Sequence, residues 1–179
     1  MKHALTPRQL TRMAVLTAAA LAIFIAEAQL PPLVPVVPGI KLGLANIITV
    51  YALFALGTGQ AGLILLSRVL LGSLFAGGMT LLYSLGGGLC CYLVMAAVSR
   101  LLTRKQVWVC SVLGAMAHNA GQIAVAAAVT RTPAVAVYLP ILLAAGILTG
   151  LFTGLCAQFL LSRLPGQTPP EGRGPRRPA

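Results

Sequence analysis

Polar side chains inside apolar segments are the residues of this sequence whose types and spacing could do chemistry. Glu27 and Arg68 each interrupt a long apolar run, and the segment AMAHNAGQ adds His118, Asn119 and Gln122 within another. An unpaired charge at the centre of a lipid bilayer costs about 2.5 kcal/mol or more, so such residues usually face the interior of a helix bundle. They are therefore candidates for binding a solute.

Two interpretations of these groups stay open from the sequence. Glu27 and Arg68 form a structural ion pair that fixes helix packing, or they are charges that contact a ligand. In AMAHNAGQ, Gln122 shares a helix face with His118, four residues before it, and with Asn119, three residues before it. That spacing suits a hydrogen-bond network between helices as well as a binding site.

The segment PGIKLGLAN contributes Lys41 and Asn46 beside two glycines at the predicted start of a helix. Glycines let the backbone approach a ligand closely, and the free amides of a helix start favour an anion. Lys41 is equally suited to anchor the chain at the membrane interface by extending its ammonium toward water. Together with Arg68 and His118, these groups predict an outward-facing site for an anionic or polar solute.

Catalysis and metal binding have little support in the sequence. The chain has two acids, Glu27 and Glu171, and no aspartate. Its cysteines lie in or at the edge of apolar segments without ligand-like spacing, so we interpret them as buried thiols. They are Cys90, Cys91, Cys110 and Cys156. We predict no catalytic residue, no metal site and no cofactor.

The apolar segments that must position these groups are long enough to cross a membrane. Hydrophobic residues make up 58% of the chain and charged residues 8%, with a mean hydropathy of +0.92. About a quarter of the residues in a soluble domain are charged, and a crossing needs about 20 apolar residues. We predict an all-α integral membrane protein of about six transmembrane helices in one bundle. Their approximate ranges are 13–30, 44–56, 61–75, 79–102, 107–129 and 135–161.

The rest of the chain divides around this membrane domain. We predict a basic cytoplasmic N-terminus at 1–12, the six-helix domain at 13–162, and a disordered basic tail at 163–179 that is rich in proline, glycine and arginine. An apolar segment with four prolines within eight residues follows the first helix. It cannot form a regular helix, so we expect an apolar loop that serves as a lid or a wall of the site.

The basic residues predict the topology. Ten of the thirteen fall on one side of the membrane if there are six crossings, and such an excess marks the cytoplasmic side. Both termini are then cytoplasmic, and the chain is a multi-pass protein of the cytoplasmic membrane. Short basic clusters between apolar segments indicate contact with lipids, and no continuous basic face for nucleic acid is expected.

A stripe of small residues runs along the first predicted helix. Ala14, Ala18, Ala22 and Ala26 recur every four residues. Small side chains let another helix approach closely, and this packing drives helix association in lipid. The partner is either another helix of this bundle or a helix of another protein.

Four motifs in order resemble a known bacterial family. They are PGIKLGLANIITVYAL at 38–53, SRVLLGSLFAGG at 67–78, SLGGGL at 84–89 and HNAGQ at 118–122. The family is called Gx transporter or heptaprenyl diphosphate synthase component I, and the resemblance covers about residues 13–161. It is similar to the substrate-binding S components of energy-coupling factor transporters, whose first helix docks through an alanine stripe on a transmembrane coupling subunit.

The resemblance has two implications for function. As an S component, the chain would bind a small-molecule ligand and dock through Ala14, Ala18, Ala22 and Ala26 on a coupling subunit that works with an ATPase pair. The sequence contains no GxxxxGK[ST] motif, so another chain would supply the energy.

The synthase name implies prenyl transfer, which the residues do not support. Prenyl diphosphate synthases hold magnesium through aspartate-rich motifs, because hard cations need clustered carboxylates. A chain without aspartate is expected not to be an enzyme. The alternative function is that of a non-catalytic membrane partner in prenyl diphosphate or quinone metabolism, or in extracellular electron transfer.

Overall fold

A computed structural model of the chain describes residues 6–30 and 41–163. These residues form six α-helices and two short 3-10 turns, and the described ranges contain no β-strand. The helices are α1 (Pro7–Ala28), α2 (Asn46–Ala55), α3 (Thr58–Ala76), α4 (Gly78–Val98), α5 (Val107–Thr130) and α6 (Leu139–Arg163), with 3-10 turns at Arg104–Gln106 and Pro133–Tyr138. The predicted all-α fold is confirmed.

Five helices are long and apolar enough to cross a membrane, with α5 and α6 extended by the 3-10 turns that precede them. The exception among the described helices is α2, which has ten residues and therefore spans about 15 Å, roughly half of a hydrocarbon core. The chain is a multi-pass membrane protein. The predicted loop at 31–40 and the predicted tail from residue 164 lie outside the described residues.

The first helix begins earlier than predicted, at Pro7 instead of Met13. The Thr6 hydroxyl accepts a hydrogen bond from the Gln9 amide, and the Gln9 side chain accepts one from the Thr6 amide. This reciprocal capping box, with proline in the first helical position, is a strong start signal. Much of the predicted basic N-terminus is therefore the first turns of α1.

The other helix bounds differ from the prediction by a few residues. Gly57, with a φ of 97°, is enough to turn the chain between α2 and α3, because glycine adopts this conformation without a steric penalty. As a result α3 begins at Thr58, where a longer break to Gln60 was expected. Helix α4 ends at Val98, four residues before the predicted end. Helix α6 begins at Leu139, four residues after the predicted start, and a 3-10 turn precedes it.

Polar contacts identify which helix ends lie together. A guanidinium nitrogen of Arg104 donates to the carbonyl oxygen of Phe54 at 3.3 Å, so the end of α2 lies beside the turn that precedes α5. Arg8 and Arg12, at the start of α1, line one cavity with Leu56. We call this region the basic end of the bundle. The start of α1, the end of α2 and the start of α5 therefore lie at one end of the bundle, and the six-crossing topology with its cytoplasmic side stays a prediction.

Glycines bring α5 and α6 into close contact. Gly146, Gly150 and Gly154 of α6 lie at intervals of four residues, and a Cβ atom on Gly150 would lie 2.7 Å from a backbone Cα atom of α5. Ser111 and Thr153 form a hydrogen bond of 3.0 Å across this interface. Such small-residue spacing allows close helix packing in lipid. This close contact with α6 fixes the rotation of α5 about its axis, and α5 carries His118 and Gln122.

Candidate functional site

Six polar residues from different parts of the sequence converge in the half of the bundle away from the basic end. They are Glu27 of α1, Lys41, Asn46 of α2, Arg68 of α3, and His118 and Gln122 of α5, and we call them the polar cluster. Lys41 is half-buried, and the others are at most 6% exposed. The sequence predicted each of these residues for the site.

The short segment 41–45, which leads into α2, connects the members of the cluster. The Gly43 amide donates to a carboxylate oxygen of Glu27 at 2.5 Å, and the Lys41 amide donates to the side-chain oxygen of Gln122 at 3.2 Å. Because Glu27 belongs to α1 and Gln122 to α5, two helices hold this segment through buried side chains. The start of α2 is therefore fixed against the cluster.

Gly43 occupies a position in this segment that only glycine fits well. Its φ is +80°, and an added Cβ atom would lie 2.8 Å from the Asn46 amide nitrogen and 2.9 Å from the His118 ring. Other residues rarely adopt this backbone conformation. The close approach brings the backbone of segment 41–45 into contact with the imidazole.

A comparison of two alanine substitutions tests this packing. Gly43→Ala and Gly57→Ala both place a side chain at positive φ, which costs about 1–2 kcal/mol. No atom of the described residues lies within 4 Å of the Cβ position at Gly57, whereas Gly43→Ala also crowds the cluster at a further cost of about 1–3 kcal/mol. We expect Gly43→Ala to lower the free energy of unfolding, measured by denaturant titration in detergent, more than Gly57→Ala. Equal losses would contradict the described packing.

Glu27 and Arg68 have separate hydrogen-bond partners. The guanidinium of Arg68 donates to the side-chain oxygen of Asn46 at 3.4 Å, and Glu27 accepts from the amides of Gly43 and Leu44. The two charges are close enough to interact through space. They therefore act within one cluster, in which each is also bonded to the start of α2.

His118 lies between two glycines from different elements. On one side is Gly43, and on the other is Gly87 of α4, where a Cβ atom would lie 3.0 Å from the ring and 2.7 Å from Gln122. Gly87 belongs to the SLGGGL motif. The glycine lets α4 approach α5 closely at the level of the cluster.

Asn119 was predicted to contribute to the site, but the structure directs its side chain toward α6. Its amide nitrogen donates to the carbonyl oxygen of Leu142 at 2.5 Å, and it lies against Gly146. This is the hydrogen bond between helices that the sequence left open as an alternative. In the described structure Asn119 joins α5 to α6 and is not part of the polar cluster.

Several buried polar atoms of the cluster lack a hydrogen-bond partner within the described part of the chain. They are Lys41 Nζ, Asn46 Nδ2, Arg68 Nε and Gln122 Nε2. A buried polar group without a partner costs about 1–3 kcal/mol, and native proteins contain few of them. Their concentration in one place makes the cluster a candidate for binding a polar group.

One residue that contacts the cluster, Phe24, was not among those predicted from the sequence. The Lys41 ammonium lies 3.4 Å from the centroid of the Phe24 ring, which is a cation–π contact. Phe24 precedes Glu27 by three residues, so the two share a face of α1, and that spacing was the available signal. Thr49, three residues after Asn46 in α2, is likewise buried, and its hydroxyl has no hydrogen-bond partner among the described residues.

The alanine stripe lies on the opposite face of α1. Ala14, Ala18, Ala22 and Ala26 are all exposed, whereas Phe24 and Glu27 are 4% and 5% exposed. The stripe therefore does not pack against the other described helices. It presents a smooth surface of small side chains to the surroundings of the protein.

Fold and site together define the class of protein: a multi-pass helical membrane protein with a buried polar cluster in one half of its bundle. The sequence model of the family described as heptaprenyl diphosphate synthase component I matches residues 16–160. The chain belongs to this family, as its four motifs predicted. No curated protein and no solved structure matches it.

Proposed function

We propose that this chain is the substrate-binding membrane subunit of an uptake transporter of the energy-coupling factor type, for a small anionic or polar solute. The polar cluster is the observation that carries the proposal. It contains buried donors that have no partner among residues 6–30 and 41–163, and a bound solute would supply the missing acceptors. A site that is mostly closed and has a few converging polar groups is typical of small-molecule binding.

The exposed alanine stripe supports the second half of this proposal. Its four residues, Ala14 to Ala26, extend over about 18 Å of helix rise and offer close packing to a transmembrane helix of a coupling subunit. The sequence contains no phosphate-binding GxxxxGK[ST] motif. An ATPase pair on separate chains would therefore provide the energy.

A non-enzymatic role follows from the residue types. Magnesium-dependent prenyl transfer needs clustered carboxylates, whereas this chain has no aspartate and two glutamates. One of these, Glu27, accepts hydrogen bonds from backbone amides. We therefore propose that the chain itself does not catalyse the synthase reaction that its family name mentions.

A second candidate is a membrane partner in prenyl diphosphate metabolism, and a cavity at the basic end favours it. The cavity has a volume of about 400 Å³. Its lining is formed by Arg8, Thr11, Arg12, Val15, Leu16, Tyr51 and Leu56. Two arginines beside apolar side chains suit an amphiphile with an anionic head, because guanidinium groups bind phosphate oxygens well.

Retention of solute by the purified protein tests the proposed function. The full chain is purified gently in detergent, and the small molecules released from it are identified by mass spectrometry. Gln122→Leu removes a neutral hydrogen-bonding group of the cluster, and we expect about fivefold weaker retention. Gln158→Leu is the matched control, because Gln158 is a partly buried glutamine of α6 outside the cluster.

Two outcomes would argue against the proposal. If Gln122→Leu and Gln158→Leu retain the solute as well as the unmodified chain, the polar cluster is not its site. If the unmodified chain retains a prenyl diphosphate that is lost on substitution of Arg8 and Arg12, the second candidate is favoured.

A further inference from the structure

We propose that the polar cluster accepts a solute with a single net negative charge and several hydrogen-bond acceptors. This inference rests on the proposed solute-binding function and specifies the chemical class of the solute. It follows from the charges that the cluster contains and from the atoms that lack partners.

The charged groups of the cluster do not balance. Glu27 is its one carboxylate, and Lys41 and Arg68 are its two cations. The segment 31–40, which joins α1 to Lys41, has the sequence PPLVPVVPGI and adds no ionisable side chain. A proton that moves between Lys41 and Glu27 leaves the total unchanged. With His118 counted as neutral, the cluster therefore has a formal excess of one positive charge.

The excess charge lies where water cannot compensate it. Arg68 is 2% exposed and belongs to α3, one of the helices long enough to span a membrane. An uncompensated charge in such a place is strongly destabilising. One negative charge on a bound solute restores neutrality, whereas a neutral solute leaves the excess and a doubly charged one reverses it.

The charged groups that still have free hydrogen-bond donors are the two cations, Lys41 and Arg68. The carboxylate of Glu27 already accepts from the amides of segment 41–45. Arg68 Nε and Lys41 Nζ have no hydrogen-bond partner within the described part of the chain. A negatively charged oxygen of the solute therefore binds on the side of Arg68 and Lys41, and Glu27 is a positioning residue for the backbone.

The two neutral amide side chains of the cluster, Asn46 and Gln122, also have donors that a solute could bind. The side-chain oxygens of Asn46 and Gln122 accept from Arg68 and from the Lys41 amide, so the amide nitrogens are the atoms left without partners. An amide nitrogen can only donate. The solute therefore needs acceptor atoms in addition to its charged group.

Three small probes with related carbonyl chemistry test the charge assignment. Formamide is neutral, formate has one negative charge and oxalate has two. Thermal unfolding of the full chain in chloride-free detergent buffer at constant ionic strength measures their binding. We expect formate to bind the unmodified protein about tenfold more tightly than formamide, as a charge-assisted hydrogen bond implies, and more tightly than oxalate.

Charge variants are expected to change this order in a defined way. Glu27→Gln removes a negative charge but keeps an oxygen that accepts from Gly43, so the preference moves to oxalate. Arg68→Gln removes the excess and abolishes the preference for formate over formamide, whereas Arg68→Lys keeps the charge and the preference. Arg163→Gln removes a cation at the end of α6, outside the cluster, and is the matched control that leaves the order unchanged.

Two results would overturn the inference: equal binding of the three probes by the unmodified chain, or an unchanged order in Glu27→Gln. The solute retained by the purified chain separates this failure from failure of the proposed function. A retained solute that depends on Gln122 but is neutral or doubly charged contradicts only the charge class. A chain that retains no solute but prefers formate supports the charge class and contradicts the proposed function.

Discussion

Replacing Ala18 or Ala22 by tryptophan is expected to separate the chain from its proposed coupling subunit while leaving the bundle folded. Both residues are exposed members of the alanine stripe, so the new side chain does not disturb the interior. It prevents the close helix approach on which association in lipid depends. We expect about a tenfold or greater fall in co-purified partner, corresponding to about 1.4 kcal/mol or more of binding free energy.

The matched control for these variants is Leu148→Trp. Leu148 lies on α6 and is 70% exposed, so the substitution adds a tryptophan to a different outer face. Its partner recovery should equal that of the unmodified chain. All three variants should retain solute equally, because the stripe faces away from the polar cluster. Unchanged recovery of the partner in Ala18→Trp and Ala22→Trp would exclude the stripe as the docking surface.

Glu27→Leu is expected to have the largest effect on stability. The substitution leaves the Gly43 amide without its buried acceptor and leaves Lys41 and Arg68 without their carboxylate. Breaking a buried charge interaction by removal of one member costs about 3–5 kcal/mol. Denaturant titration in detergent measures the free energy of unfolding, and retention of solute should be lost with it.

Glu27→Gln is the control that separates the two roles of Glu27. Glutamine keeps an acceptor oxygen for the Gly43 amide, so it should lose less stability than leucine. If Glu27→Leu is as stable as the unmodified protein, segment 41–45 is not held by this contact, and the described cluster is incorrect.

Much of the candidate site was predictable from the sequence, because polar groups are costly in lipid. Glu27, Arg68, His118 and Gln122 stand out in apolar segments, and that cost directs them to the interior. The structure brings these four together. Helix number followed in the same way from the length of the apolar runs, although α2 is too short to span the membrane alone.

The start of α1 differs from the prediction because a helix that crosses a membrane can begin in a basic segment outside it. Arg8 and Arg12 indicated a segment outside the membrane, which is compatible with a helix that extends beyond it. The residues Thr6, Pro7 and Gln9 form the start signal. The capping residues therefore indicate the start of this helix more accurately than the pattern of apolar residues does.

The partner that each polar side chain contacts could not be predicted from the sequence. Asn119 and Gln122 lie three residues apart and share a face, yet Asn119 bonds to α6 and Gln122 to segment 41–45. The rotation of α5 decides this, and glycines on two neighbouring helices set that rotation. The position of the alanine stripe was undetermined for a similar reason, since its spacing does not distinguish the inner face of α1 from the outer one.

The most direct test of the central claim is to identify the proteins bound to the tagged full chain in its native membrane, by cross-linking and quantitative mass spectrometry. We predict a transmembrane coupling subunit and a pair of ATPases in fixed proportion to the chain, and their loss in Ala18→Trp. Recovery of a soluble prenyltransferase in fixed proportion, without any ATPase, would contradict the transporter function.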